Sequence, residues 1–194
     1  MARGLRVVAG SAGGLLLVAP KNARPSTDRT KEALFASLGD LVDDAVVLDL
    51  YAGSGALGIE ALSRGAAGAV FVDRDRNAID AIRTNLATTH LTEHARVQSS
   101  AVSTFFRTPP PEAPFDLVLL DPPYDAPVAD TADDLLALTA DGWLAPSATV
   151  VLECRVTARP DLPAAWRVER ERAYGDTLLV VATVHDGPSG HDRS

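Results

Sequence analysis

Hydrophobic and polar positions change their spacing repeatedly along this chain, and the changes predict its elements. Short apolar runs such as AVVLDL (45–50) and FDLVLLD (115–121) are typical of strands buried on both faces of a sheet. Between such runs, apolar residues recur every three or four positions, as on one face of a helix. We expect strands over 45–50, 69–73, 95–100, 115–121 and 148–155. We expect helices from Ser26 or Thr27 to Gly39 and over 56–64, 75–90, 101–107 and 128–140.

Two hairpins flank this alternating region. LRVVA (5–9) and LLLVA (15–19) are strand-like runs separated by glycines. WRVERERAY (166–174) and TLLVVATV (177–184) flank Gly175-Asp176, a signal for a two-residue turn. Strands joined by so tight a turn must run antiparallel to each other.

The order of these elements predicts an α/β fold. Alternating strands and helices indicate a doubly wound, Rossmann-like sheet that is mostly parallel, with the terminal antiparallel hairpin at its end. We expect three parts: an N-terminal β-hairpin extension over 1–25, a main domain over 26–185, and a disordered tail over 186–194.

A glycine-rich loop follows the first strand of the main domain. Gly53, Gly55 and Gly58 spell G-x-G-x-x-G between a strand and a helix, and Asp73 ends the next strand 20 residues after Gly53. An acid in that position binds ribose hydroxyls in nucleotide-binding folds. The pattern predicts a nucleoside ligand with a free ribose diol. The alternative is a tight turn with packing glycines and a surface aspartate.

Asp49 bears on which nucleoside binds. A carboxylate just before the loop would repel the pyrophosphate of a dinucleotide, whereas it would attract an ammonium group. S-adenosylmethionine (SAM) carries an ammonium, a sulfonium and a ribose diol, and it has no phosphate. This choice favours SAM, although Asp49 could also cap the N–H groups of the loop.

The tetrapeptide DPPY follows the strand over 115–121. Asp121, Pro122, Pro123 and Tyr124 should face the same crevice as the glycine loop, because ligands bind beyond the carboxyl ends of parallel strands. The prolines remove two N–H donors and leave the Asp121 carboxylate and the Pro122 carbonyl as acceptors. Two acceptors beside a flat tyrosine suit a planar group that bears an NH2. The alternative is a rigid turn with a packing tyrosine.

The net charge of −8 conceals an uneven distribution. Residues 1–31 carry six bases and one acid, a net +5, and residues 32–194 carry 12 bases and 25 acids, a net −13. A basic N-terminal arm suits a polyanion that is contacted at one end, although short basic N-termini are often only solvated. Glu60 and Arg64 form an i,i+4 helix pair, with a SAM contact by Glu60 as the weaker alternative.

Several classes of protein do not fit the sequence. Its apolar runs are far shorter than the ~20 residues of a membrane span. The N-terminus lacks the apolar core of a signal peptide, and the single Cys154 fits a reducing compartment, so we expect a cytoplasmic protein. The histidines show no metal-ligand spacing, so no metal is expected.

The motifs together resemble those of class I SAM-dependent methyltransferases, in which N/D-P-P-Y/F marks methylation of planar amino groups. More closely, the chain resembles the bacterial RsmD family, which methylates the exocyclic amine N2 of one guanine in 16S ribosomal RNA. The matching segments are RVVAG (6–10), RPSTDRTKEALF (24–35), DLYAGSGALGIEALSRGA (49–66) and DPPY (121–124).

The resemblance implies roles for individual residues. Catalysis falls to Asp121, Pro122, Pro123 and Tyr124. The SAM contacts that it implies are Asp49, Tyr51, Gly53, Ser54, Gly55, Asp73, Arg74 and, toward adenine, Ser100 and Ala101. The acid that contacts adenine in many methyltransferases is missing from the last pair of positions, so a serine side chain or a backbone N–H takes its place.

The resemblance also implies a partner. The substrate would be 16S rRNA within a partly or fully assembled small ribosomal subunit, with ribosomal proteins sharing the contacts, and the enzyme would act as a monomer. As a hypothesis, Arg6, Lys21, Arg24 and Arg29 hold rRNA phosphates while the target guanine turns into the crevice.

Rival functions use some of the same features. A methyltransferase for DNA adenine or protein glutamine would need the same acceptors, although the short chain leaves no room for a DNA-recognition domain. An NAD-dependent oxidoreductase would need a proton donor such as a Tyr–Lys pair, and no lysine follows the loop. A non-catalytic ribosome assembly factor is the third alternative.

Overall fold

The computed structural model describes residues 5–20, 28–140 and 142–184. Within these ranges the chain alternates between helices and strands as expected. The helices are α1 (Asp28–Leu38), α2 (Ala56–Ser63), α3 (Arg76–Thr89), α4 (Val102–Phe105) and α5 (Val128–Ala137). The strands are β1 (Val46–Leu50), β2 (Gly68–Asp73), β3 (Ala95–Ser99), β4 (Phe115–Leu120), β5 (Leu144–Arg155), β6 (Trp166–Tyr174) and β7 (Thr177–Val184).

The seven strands form one sheet in the order β3-β2-β1-β4-β5-β7-β6. Neighbours from β3 to β5 are parallel, and β7 runs antiparallel to both β5 and β6. This topology confirms the mostly parallel sheet and its terminal hairpin. The direction of winding reverses between β1 and β4, and such a switch point opens a crevice at the carboxyl ends of the strands.

Two hydrophobic cores cover the two faces of the sheet. The N-terminal hairpin, α1, α2 and α3 pack on one face, here called the hairpin face. The opposite face is covered by α4 and α5, around the buried Trp143. Trp143 lies 5.3 Å from Phe105 and 5.0 Å from Phe106 between ring centroids, so it is a packing residue.

The N-terminal segment forms a short hairpin. Arg6 and Leu16 make an antiparallel bridge, and the Leu17 N–H donates to the Leu5 carbonyl at 2.8 Å. Val7 and Leu17 are buried in the core of the hairpin face. The hairpin is therefore packed into the protein, and a separate extension over 1–25 stays a prediction.

Some boundaries differ from those expected. β5 starts at Leu144 instead of 148, because Leu144 pairs with Phe115 before a register shift in the ladder. α5 ends at Ala137, short of the predicted 140. The predicted cap at Ser26 or Thr27 and the predicted tail lie outside the described residues.

Candidate functional site

The glycine loop connects β1 to α2 in a conformation that favours glycine. Gly53 and Gly55 have φ values of 56° and 74°, in the left-handed region, and the Gly55 N–H donates to the Ala52 carbonyl at 2.7 Å. Gly58 serves packing instead. A Cβ at Gly58 would lie 2.4 Å from a ring carbon of Phe71, so only glycine lets α2 approach the sheet this closely.

Asp49 lies beneath the start of α2. Its Oδ2 accepts a hydrogen bond from the Gly58 N–H at 2.9 Å, and the residue is only 2% exposed. Burial, assisted by the negative charge of Asp73 and opposed by the Gly58 bond, raises the pKa of Asp49 to about 8. The predicted ammonium partner is thus a carboxyl group that holds its proton until a cation or higher pH removes it.

Asp73 joins the end of β2 to the glycine loop. Its Oδ2 accepts from the Gly53 N–H at 2.9 Å, and its Oδ1 accepts from the Asp75 N–H at 2.8 Å. Ser54, between the two loop glycines, is buried, and its carbonyl accepts from the Asn85 amide at 2.8 Å. The loop is therefore fixed from both sides.

A cavity of about 310 Å³ lies at the carboxyl ends of β1 and β2. This size is within the range of small-molecule sites. Four of the predicted cofactor residues line it: Tyr51, Asp73, Arg74 and Ala101. The remaining lining residues were not predicted, namely Val102, Ser103, Asp130, Asp133 and Asp134.

The unpredicted carboxylates belong to α5. Asp130, Asp133 and Asp134 share one face of this helix through i+3 and i+4 spacing, which was readable in the sequence. The Tyr51 hydroxyl donates to Asp134, and burial raises the pKa values of both groups. With one arginine against four aspartates, the cavity favours a cationic ligand.

Ser100 contributes a polar atom next to the cavity. Its backbone N–H donates to the Asp73 carbonyl at 3.0 Å, whereas its Oγ is buried without a hydrogen-bond partner. An unpaired buried hydroxyl is costly, so this atom is suited to a ligand.

DPPY follows β4 directly beside the glycine loop. Leu120 of β4 pairs with Leu50 of β1, so Asp121 and Tyr51 begin neighbouring loops at one edge of the sheet. Pro122 is buried and Tyr124 is half-buried. The sequence therefore placed the motif correctly relative to the loop.

The Tyr124 side chain extends over the neighbouring strands. Its hydroxyl is hydrogen-bonded to Thr177, and the Arg155 guanidinium lies 5.0 Å from its ring centroid. Burial raises the pKa of Glu153, and a hydrogen bond from Tyr124 opposes this shift. These three partners come from β5 and β7 and were not predicted from sequence.

The basic arm is only partly described. Arg6 is half-buried, and its carbonyl accepts from the Lys31 ammonium. Arg29 lies in α1, but its side chain, like Lys21 and Arg24, is outside the described residues. Lys31 is 1% exposed, so counting it in a surface charge of +5 was wrong.

Glu60 explains why Lys31 is buried. The two charged groups lie 3.3 Å apart and are fully buried, and Glu60 also accepts from the backbone N–H groups of Val8 and Ala9 and from Arg64. The interpretation of Glu60 as a simple helix pair was wrong, because the hairpin covers this helix face. Its contacts face the hairpin and not the cavity.

Two searches of the described ranges concern metals and membranes. Residues 5–20, 28–140 and 142–184 contain no cluster of three or more His, Cys, Asp or Glu with metal-binding geometry. No helix there has the length and apolar content of a membrane span.

Known proteins resemble this chain over nearly its full length. A family model described as "Conserved hypothetical protein 95" matches residues 5–183. The ribosomal RNA small subunit methyltransferase D of Escherichia coli K12 is 37% identical over 174 residues, which cover 88% of this chain and 85% of that protein.

Solved structures agree with this match. The Escherichia coli protein yhhF, assigned as a methyltransferase, has 34% identity and a TM-score of 0.83, covering 94% of this chain and 99% of its own. An RNA methyltransferase from Salinibacter ruber, solved with S-adenosyl-L-homocysteine, shares the fold at 20% identity with a TM-score of 0.63, covering 88% and 100%. The chain therefore belongs to the conserved hypothetical protein 95 family, the RsmD family that its motifs resemble.

Proposed function

We propose that this protein transfers a methyl group from SAM to the exocyclic amine N2 of a guanine in 16S rRNA of the small ribosomal subunit. The observation that carries the proposal is the position of DPPY. The motif follows β4 next to the glycine loop of β1, at the edge where the acidic cavity opens. A cofactor site and an amine-binding motif thus share one crevice.

The cavity residues fit SAM in charge and shape. Asp73 would hold the ribose hydroxyls, Ser100 Oγ would find a partner in the adenine, and Tyr51, Gly53, Ser54, Gly55, Arg74 and Ala101 complete the predicted contacts. Asp49 would ionise toward the ammonium, because a nearby cation favours the charged form. SAM supplies a methyl group on a sulfonium and leaves as neutral S-adenosylhomocysteine.

The DPPY residues would orient the amine. Lone-pair delocalisation makes a guanine NH2 a poor nucleophile, and acceptors that hold its hydrogens aim the nitrogen at the methyl group. The Asp121 carboxylate and the Pro122 carbonyl would supply this pair, and Pro123 stiffens the turn. The nitrogen gains the methyl group and releases one proton.

The substrate assignment rests on the relatives. A protein named ribosomal RNA small subunit methyltransferase D shares 37% identity with this chain. We infer the same class of substrate here, with Arg6, Lys21, Arg24 and Arg29 contacting phosphates and ribosomal proteins contributing further contacts. The enzyme is expected to work as a cytoplasmic monomer.

Methyl transfer to isolated 30S subunits tests the proposal. Subunits from a strain lacking this methylation would be incubated with labelled SAM, and the labelled nucleoside would be mapped. We expect label in one guanine of 16S rRNA. Label in DNA or protein would contradict the substrate assignment.

An Asp121→Ala variant separates catalysis from assembly. We expect it to bind SAM and subunits like the parent while losing transfer by about 100-fold or more, since orientation of the amine is lost. Parent and variant that are equally inactive on competent subunits would instead favour a non-catalytic assembly factor.

A further inference from the structure

A row of paired residues crosses three strands at the DPPY end of the sheet. Arg155 of β5 pairs with Thr177 of β7, and Thr177 pairs with Tyr174 of β6. Directly paired residues point their side chains to the same face of a sheet. Tyr174 packs against the core of the hairpin face, so the whole row lies on that face.

The catalytic motif is connected to this row. Tyr124 bonds to Thr177 through its hydroxyl and lies under the Arg155 guanidinium, 5.0 Å from its ring centroid. At the other end, the Arg172 guanidinium lies 5.7 Å from the Tyr174 ring centroid. Two arginine–tyrosine pairs therefore stand at the two ends of one row.

A register shift in β6 separates positive from negative charges. Beyond the shift between Val168 and Arg170, Arg170 pairs with Val181 and Arg172 pairs with Leu179, both on the hairpin face. Glu171 pairs with Val180, which belongs to the opposite core, and forms an ion pair with Arg159.

The positive charges on the hairpin face are available to a ligand. Arg155, Arg170 and Arg172 are exposed, and none of them forms an ion pair with a residue in the described parts of the chain. The one acid paired into the adjacent row is Glu153, opposite Leu179, and it is half-buried. The face is therefore positive although the protein is acidic overall.

We propose that this surface, the arginine–tyrosine strip of Tyr124, Arg155, Tyr174, Arg172 and Arg170, binds single-stranded RNA that flanks the target nucleotide. The proposal rests on the proposed function for its substrate. Aromatic rings accept stacked bases, and guanidinium groups bind phosphates or stack on bases themselves. Each arginine can turn from its ring to a phosphate as a base takes its place.

The strand order gives the strip a direction. The cofactor cavity lies over β1 and β2, DPPY follows β4, and the strip covers β5, β7 and β6. RNA would thus approach the target amine from the side opposite the cofactor. This path is additional to the N-terminal arm.

Binding of a short RNA tests the strip directly. Fluorescence anisotropy of a labelled single-stranded RNA of about 12 nucleotides, a length within reach of such sites, gives affinity and its salt dependence. For Arg170→Ala/Arg172→Ala we expect affinity to fall by about tenfold or more and the salt slope to decrease by about two, one for each lost phosphate contact.

Matched variants provide the controls. Arg167→Ala removes the same charge from the start of β6, where the side chain pairs with Glu169, and should leave RNA affinity unchanged. Tyr174→Ala should weaken binding by about tenfold, and Tyr174→Phe should restore it because the ring remains. SAM affinity should be unchanged in all four variants.

The outcomes distinguish this inference from the proposed function. Full RNA affinity in the double variant, or equal loss in Arg167→Ala, would overturn the strip. A parent that binds RNA through the strip but methylates no rRNA would contradict the proposed function and leave the strip supported.

Discussion

Single residues in this protein carry constraints that only their neighbours make visible. Gly58 is a clear case at the residue scale, since a Cβ there would meet Phe71 at 2.4 Å and Asp49 Oδ2 at 2.9 Å. Its φ is ordinary, so the constraint is the approach of α2 to the sheet. The third glycine of the motif therefore reports packing and not a ligand contact.

Replacing Gly58 by alanine should destabilise the fold. We expect a loss of about 1–3 kcal/mol in the free energy of unfolding, because neither the buried ring nor the carboxyl can withdraw easily. Urea denaturation of Gly58→Ala measures it. Gly68→Ala is the matched control, since a Cβ there meets nothing closer than 3.6 Å, and an equal loss in both would contradict the packing argument.

Asp49 should make stability depend on pH. Its pKa is about 8 in the folded protein against 3.8 for a free carboxyl, so between these values the unfolded chain binds fewer protons than the folded one. The free energy of unfolding therefore falls as pH rises through this window and levels off above it. Protonation stabilises the fold here.

Comparison with Asp49→Asn isolates this group. Asparagine does not titrate, so the stability of the variant relative to the parent should rise from about pH 5 to pH 8 by an amount on the order of a few kcal/mol. Chemical denaturation at several pH values measures the difference. A difference that stays constant across the window would show that Asp49 is ionised throughout.

Glu60 and Lys31 form a buried pair with a defined test. Glu60→Ala leaves the Lys31 ammonium buried without its counter-charge and should cost about 3–5 kcal/mol in the free energy of unfolding. Glu32→Ala, on an exposed neighbour of Lys31, is the control with little expected effect. If Lys31→Met/Glu60→Met were as unstable as Glu60→Ala, charge imbalance could not be the cause.

At the scale of elements, Asn85 of α3 connects the hairpin to the glycine loop. Its side chain exchanges two hydrogen bonds with the Val18 backbone, at 2.7 and 2.9 Å, and donates to the Ser54 carbonyl at 2.8 Å. One buried amide thus satisfies backbone groups from two elements that lie far apart in sequence. The hairpin and the candidate cofactor loop are held by the same residue.

Asn85→Ala should loosen the hairpin end and the loop together. We expect a loss of about 2–4 kcal/mol in stability, since three buried backbone partners lose their bonds. Hydrogen exchange should become faster at the Val18 amide. Asn77→Ala, on the exposed first turn of α3, is the control, and unchanged exchange at Val18 would contradict the role of Asn85.

Elements also show where sequence patterns were sufficient. Apolar runs and Gly175-Asp176 predicted the strands and the terminal turn, because local burial and turn chemistry decide both. The strip on β6 was hidden because alternating Arg and Glu cancel in any count of charge. Only the pairing with β7 assigns them to opposite faces.

At the scale of the whole molecule, the hairpin belongs to the fold. Val7, Ala12 and Leu17 lie in the same core as α1, α2 and α3. The Val8 and Ala9 backbone also satisfies Glu60. The segment proposed to contact RNA is thus also required for burial of the hairpin face.

Removing residues 1–20 should therefore lower the thermal midpoint by about 10 °C or more, because core contacts and the partners of Glu60 are lost together. Differential scanning calorimetry measures this. Removing residues 186–194 is the control, for which the sequence predicts no change. A truncated protein as stable as the parent would show that the hairpin is an independent appendage.

The sequence by itself determined the alternation of elements, the mostly parallel sheet, and the placement of the glycine loop, Asp73 and DPPY at the carboxyl ends of strands. These follow from local periodicity and from the geometry of parallel sheets. The tertiary structure decided what depends on distant partners: the burial of Lys31 with Glu60, the α5 carboxylates in the cavity, the partners of Tyr124, and the positive strip. Burial and strand register set the charge and exposure of each side chain, and neither is a local property of the chain.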